Sequence, residues 1–136
     1  MDRISDLLSL ATQLPLTPLV DPETFTKQTM VLPCQDPMTD SRVDFIFSHS
    51  PYEKQAIRRA ANVTIREAQV RFATAEDLIV HKMLAHRARD IEDVKNVMLR
   101  NPGLALPYIR RWLSQFSEAL AQPFDGEFEQ LLKDIS

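Results

Sequence analysis

The stretch Gln69-Val70-Arg71-Phe72-Ala73-Thr74-Ala75-Glu76-Asp77-Leu78-Ile79-Val80-His81-Lys82-Met83-Leu84 decides the fold class, because strand-like sequence gives way to helical sequence within it. Gln69 to Phe72 reads as a short strand that follows a polar turn at Arg66-Glu67, with Val63-Thr64-Ile65 as the strand before that turn. Thr74 is a helix cap, and Glu76 and Asp77 put carboxylates in the first turn, where the helix dipole favours them. From there onward the apolar positions keep a helical period. Ile79, Val80, Met83 and Leu84 form one stripe, and Ile91, Val94, Val97 and Met98 the next. Asn101-Pro102-Gly103 breaks the pattern. Ile109, Trp112, Leu113, Phe116 and Leu120 make a third stripe, and Phe128, Leu131, Leu132 and Ile135 a fourth.

Towards the N-terminus the sequence is mixed. Ile4, Leu7, Leu8 and Ala11 form a helical stripe within residues 2–14 that Pro15 ends. Pro18 marks an irregular link, and Asp21-Pro22-Glu23 has the chemistry of a helix start. Met30-Val31-Leu32 and Arg42 to Ser48 read as strands, joined by a turn-rich segment from Gln35 to Ser41. In the second strand Val43, Phe45 and Phe47 share one face, with Asp44 and Ile46 on the other. Ser50-Pro51-Tyr52-Glu53 predicts a capped helix running to about Ala61. Strands followed by a helical half give an α+β domain. The expected division is an α/β portion over residues 1–73 and a helical portion over residues 74–136 packed on it as one compact unit.

Composition narrows the function classes. The chain has 136 residues, 44% of them hydrophobic and 26% charged, as in an ordinary globular protein. No run approaches the ~20 apolar residues that span a bilayer, so no membrane partner is expected. The polar, acidic start does not read as a secretory signal, and a cytoplasmic location is the default expectation. Cys34 is the only cysteine, which excludes an internal disulfide and a cysteine-based zinc site. His49, His81 and His86 are too scattered for a metal site, since the last two lie five positions apart rather than the four that would put them on one helical face. The net charge is −3, yet basic residues outnumber acidic ones between Arg42 and Arg111 and the flanks are acidic. That centre reads either as a solvated helical surface or as a phosphate-facing patch.

The densest polar cluster runs from Glu76 to Asp93. Asp90 and Asp93 lie three apart, on one face of a helix, and Arg87 and Arg89 fall at the junction between two helices. A structural ion-pair network accounts for this spacing without a ligand. Trp112 and Phe116 read as core, Cys34 as a packing residue, and Arg110-Arg111 as solvated surface.

The run from Val43-Asp44-Phe45-Ile46-Phe47, through Ser50-Pro51-Tyr52-Glu53, to Glu76-Asp77-Leu78-Ile79 with Lys82, Arg87, Arg89, Asp90 and Asp93 resembles a bacterial nucleotidyltransferase-like family. That family is related to the AbiEii-type toxins of abortive-infection and toxin-antitoxin systems. The resemblance covers about residues 29–117. It implies a site in which a Gly-Ser turn holds nucleotide phosphates, while an Asp-x-Asp pair and a third aspartate hold two magnesium ions. Asp44 matches the third aspartate, a remnant catalytic and metal-binding position. Lys82 and Asp90 match polar positions that face the nucleotide or support the site, and Asp77, Arg87, Arg89 and Asp93 are grouped with them.

The departure from the family pattern is as informative. Neither Gly103 nor Gly126 precedes a serine, and no Asp-x-Asp pair occurs before Asp44. Magnesium bound for phosphoryl-type transfer needs carboxylates that bridge two ions ~3.5–4 Å apart. Asp44 alone does not supply them. The expectation is therefore a degenerate or truncated nucleotidyltransferase-like protein without autonomous transfer, binding nucleotide or RNA, and with no cofactor of its own. The alternatives are an active enzyme completed with Mg2+ by an upstream segment or partner chain, and a non-catalytic toxin-antitoxin interaction module. Whether the chain is an enzyme stays open at this point. Exposed strand edges point to a partner protein or a homo-oligomer.

Overall fold

The computed structural model describes residues 3–135. The fold is α+β, and the chain divides into two compact units, Met1–Ser50 and Pro51–Ser136. No helix among the described residues is long and apolar enough to cross a membrane.

The first unit holds α1 (Ile4–Gln13), β1 (Thr17–Pro18), α2 (Pro22–Thr29), β2 (Val31–Asp36) and β3 (Ser41–Ile46). Asp21 caps α2 by accepting the Thr24 N–H at 2.8 Å, with Pro22 in the first turn. The three strands form an antiparallel sheet in the order β1-β2-β3. Pro33 sits in the central strand, where proline is usually excluded. Its carbonyl accepts from Leu19 at 2.9 Å on the β1 side, and β1 ends at Pro18. The missing N–H therefore costs the ladder with β3 nothing. Leu32 and Cys34 are fully buried. In β3, Val43 and Phe45 are half-buried while Asp44 and Ile46 are exposed, as the alternation predicts. Asp36 shapes the loop to β3 by accepting from Met38 N–H and the Thr39 hydroxyl, each at 2.9 Å.

The second unit holds α3 (Pro51–Arg59), a ribbon of β4 (Ala61–Ile65) and β5 (Ala68–Phe72), then α4 (Ala75–Ala85), α5 (Ala88–Arg100), α6 (Leu106–Leu120) and α7 (Phe124–Ile135). Its core contains Ile79, Val80 and Met83 from α4, and Val94 and Met98 from α5. Ile109, Trp112 and Leu113 come from α6, and Phe124, Phe128 and Leu131 from α7. The four stripes read from the periodicity supply this core; only Leu120 at the end of α6 turns out, 56% exposed.

The division between the two units falls after Ser50, whereas the sequence reading draws its line after residue 73. The reason is α3. Tyr52 and Ala56 are buried in the helical core, so this helix belongs with the elements that follow it. Arg71 then ties the ribbon to α3 by donating to the carbonyls of Ile57 at 2.6 Å and Arg58 at 3.3 Å, groups that a helix end leaves unsatisfied.

Candidate functional site

Helix α4 ends at His86, whose left-handed backbone (φ 50°) closes the turn, and α5 starts two residues later. This tight junction brings the last turn of α4 onto the first turn of α5. Lys82 extends from α4 between two carboxylates of α5, with Nζ 3.1 Å from Asp90 Oδ1 and 2.6 Å from Asp93 Oδ2. Arg87 donates from Nε to the other Asp90 oxygen at 2.8 Å. Asp90 is buried, 8% exposed, and lies in the first turn of α5, where its charge meets the positive end of the helix dipole. The hydrogen bond from Lys82 holds the Asp90 carboxyl below the usual carboxylate range against the opposing effect of burial, with Arg87 adding to it. The hydrogen bonds to Asp93 and Asp90 push the Lys82 ammonium up from its ordinary value.

Around this network lies a groove of about 340 Å³, lined by Lys82, Arg87, Arg89, Asp90 and Asp93. Two of the three ammonium donors of Lys82 are taken by carboxylates, which leaves one. Arg87 is paired through Nε, yet its side chain is 79% exposed. Arg89 makes no ion pair or hydrogen bond among the described residues. Three cations meet two carboxylates, so the groove carries a small positive excess.

Asp77 goes elsewhere. It is fully buried in a polar knot that the spacing did not suggest. Its Oδ1 accepts from the Tyr108 hydroxyl at 2.6 Å, and its Oδ2 from Thr74 Oγ1 at 2.7 Å and Arg59 Nε at 3.3 Å. The Tyr52 hydroxyl donates to the Asp77 carbonyl at 3.2 Å. Arg59 also reaches Glu76 at 3.4 Å, and Glu76 accepts the Ala105 N–H at 3.0 Å, at the start of α6. Every side-chain oxygen of Asp77 is satisfied from within the fold, so its role here is to tie α3, α4 and α6 together. Arg59 and Tyr108, the partners that matter most, lie 18 and 31 residues from Asp77 in sequence. No local pattern announces them.

Asp44 belongs to the first unit, on the outer strand β3. Both of its oxygens accept from Arg42 Nε, at 2.9 and 3.2 Å. Among the described residues no three His, Cys, Asp or Glu side chains gather as a metal-ion site. One carboxylate already held by a guanidinium does not fit the bridging ligand set that two magnesium ions need.

The lesser candidates have local partners. His86 Nε2 lies 2.6 Å from Glu127 Oε2, joining the end of α4 to α7. The ring of His81 lies 5.2 Å from that of Tyr52. Trp112 packs edge-on to Tyr52 at 5.0 Å, within the core as its stripe implied. Arg110 is held by Glu129 at 2.6 and 3.1 Å. Burial, with Asp44 adding to it, pushes the Cys34 thiol up, away from nucleophilic use.

The chain matches no family model, no curated protein and no solved structure.

Proposed function

We propose that this chain is a nucleotidyltransferase-like module that binds the phosphates of a nucleotide at the α4–α5 groove and does not transfer nucleotide by itself. The observation that carries the reading is Arg89, an arginine without an ion-pair or hydrogen-bond partner among the described residues, beside the exposed guanidinium of Arg87 and the remaining donor of Lys82. Planar guanidinium groups suit phosphate oxygens, and the carboxylates of Asp90 and Asp93 fix where Lys82 and Arg87 stand. The absence of a Gly-Ser turn and an Asp-x-Asp pair from the sequence supports the second half of the reading.

The test is a titration of the purified chain with ATP and, separately, with a short single-stranded RNA, at low and raised salt. Binding that weakens several-fold with salt and with Arg89→Ala is the expected result. Affinity indifferent to Arg89→Ala sinks the binding site. Transfer of labelled nucleotide by the chain alone sinks the non-catalytic reading. RNA bound where ATP is not would make the ligand a polymer backbone instead of a free nucleotide.

A second reading, an enzyme completed by another segment or chain, draws on one feature. Asp44 stands on β3, an end strand of its sheet that pairs with no strand on its outer side among the described residues. Transfer activity in material isolated with a copurifying partner, and lost on separation, would favour it. A non-catalytic toxin-antitoxin interaction module would instead show the same partner without any transfer.

A further inference from the structure

Among the described residues no further strand pairs with either edge of the β4–β5 ribbon, and its apolar face stays exposed. Its register sets Ala61 opposite Phe72, Val63 opposite Val70 and Ile65 opposite Ala68. These six residues share one face; Asn62, Thr64, Gln69 and Arg71 share the other. Arg71 reaches the carbonyls at the end of α3, so the polar face is the one turned to that helix end. The apolar face is turned away from it. Val63, Ile65, Val70 and Phe72 keep 42%, 46%, 37% and 45% of their surface exposed. An isolated two-stranded ribbon is marginal in water, and further strands stabilise it.

We propose that two copies of this chain associate by antiparallel pairing of β4 with β4 of the second copy, about a two-fold axis at Val63. Ile65 and Ala68 flank a two-residue turn and so exchange hydrogen bonds with each other. Alternation then gives Val63 with Val70, and Ala61 with Phe72, the remaining bonds within the ribbon. The N–H and C=O groups of Asn62 and Thr64 point outward from the edge. Edges are normally blocked by charge, proline or a bulge, and β4 has none of these. Strand β5 carries the charge of Arg71.

The sequence of β4 is complementary to its own reverse. With Val63 on the axis, Asn62 faces Thr64 of the second copy, Ala61 faces Ile65, and Val63 faces itself. The outward backbone groups meet as hydrogen-bonded pairs, and the apolar face continues from one copy into the next. A shift by one residue would set apolar side chains against polar ones. This self-match and the lack of charge favour a second copy over an unrelated strand. A five-residue strand offers far less than the ~800 Å² per partner of a standard interface, so the dimer is weak and depends on concentration.

Sedimentation velocity of the full chain from micromolar to millimolar concentration tests the proposal, with far-UV circular dichroism to check folding. Thr64→Pro removes an N–H that the ribbon does not use, in both copies at once. It is expected to weaken the dimer on the order of 10- to 100-fold. Val63→Lys sets like charges on the axis and is expected to do the same. Gln69→Pro, which removes an outward N–H of β5, is the control and leaves the dimer intact. A chain that stays monomeric throughout overturns the proposal. So does a dimer indifferent to Thr64→Pro and Val63→Lys, or one lost equally in Gln69→Pro.

Discussion

Tyr108 on α6 donates its hydroxyl to Oδ1 of Asp77 on α4 across 2.6 Å, while Arg59 of α3 stacks on the Tyr108 ring at 3.9 Å and reaches Oδ2 of the same aspartate. Three helices thus meet on one fully buried carboxylate. Burial, then the hydrogen bond to Asp77, pushes the Tyr108 hydroxyl well above the ordinary phenol value, so it remains a donor.

That arrangement predicts a graded loss of stability. Removing one partner of a buried, hydrogen-bonded charge leaves the others uncompensated. Asp77→Ala, which strands Arg59 and the two hydroxyls, is expected to cost about 3–5 kcal/mol. Tyr108→Phe keeps the ring under Arg59 and removes only the donor, for about 1.5–3 kcal/mol. Denaturant unfolding followed by far-UV circular dichroism measures both. In a double-mutant cycle the two losses should fall short of adding, because they share a bond. Strict additivity would mean that the hydroxyl and the carboxylate do not act together.

The α4–α5 junction predicts a pH dependence. The folded value of the Asp90 carboxyl lies below its unfolded value near ~3.9, so the stability it contributes is present above that value and is lost as pH falls through the folded one. Asp21, Asp36, Glu76 and Glu129 are shifted the same way and act over the same acid window. Lys82 is shifted up; its contribution is present below its unfolded value near ~10.4 and is lost as pH rises through the folded one. Asp90→Asn should therefore be less stable than the parent near neutrality, with the gap closing below about pH 4. Unfolding midpoints across that range check it. A gap that stays constant into acid would remove the ion pairs from the explanation.

What the sequence made legible is local. The capping residues Asp21 and Thr74, the apolar stripes of α4 to α7, and the alternation in β3 each depend on neighbours a few residues away, and each takes the expected place. The division of the chain was not legible, because it turns on whether Tyr52 and Ala56 of a short, polar helix face the helical core. Periodicity identifies a face but not what covers it. The cluster at Lys82, Arg87, Asp90 and Asp93 was visible because a tight junction joins residues close in sequence. Asp77 looked like a member of that cluster, and only Tyr108, far along the chain, shows that it turns inward. Polar residues near one another in sequence share a site only when the helix faces agree.

The two-unit division carries a prediction of its own. Every residue of the principal core, from Tyr52 to Leu131, lies within Pro51–Ser136. A fragment of residues 51–136 should therefore keep its helical signal and melt cooperatively. A fragment of residues 74–136 starts at the boundary that the strand-to-helix transition suggests. It lacks Tyr52 and Ala56 from the core, and Arg59 from the Asp77 carboxylate. Losing a buried aromatic of this size alone costs about 3–5 kcal/mol, a large share of the ~5–15 kcal/mol that holds a domain folded. The shorter fragment should melt broadly or not at all, with dispersed amide resonances only in the longer one. Equal cooperativity in the two would show that α3 is not part of the helical unit, and would return the boundary to residue 73.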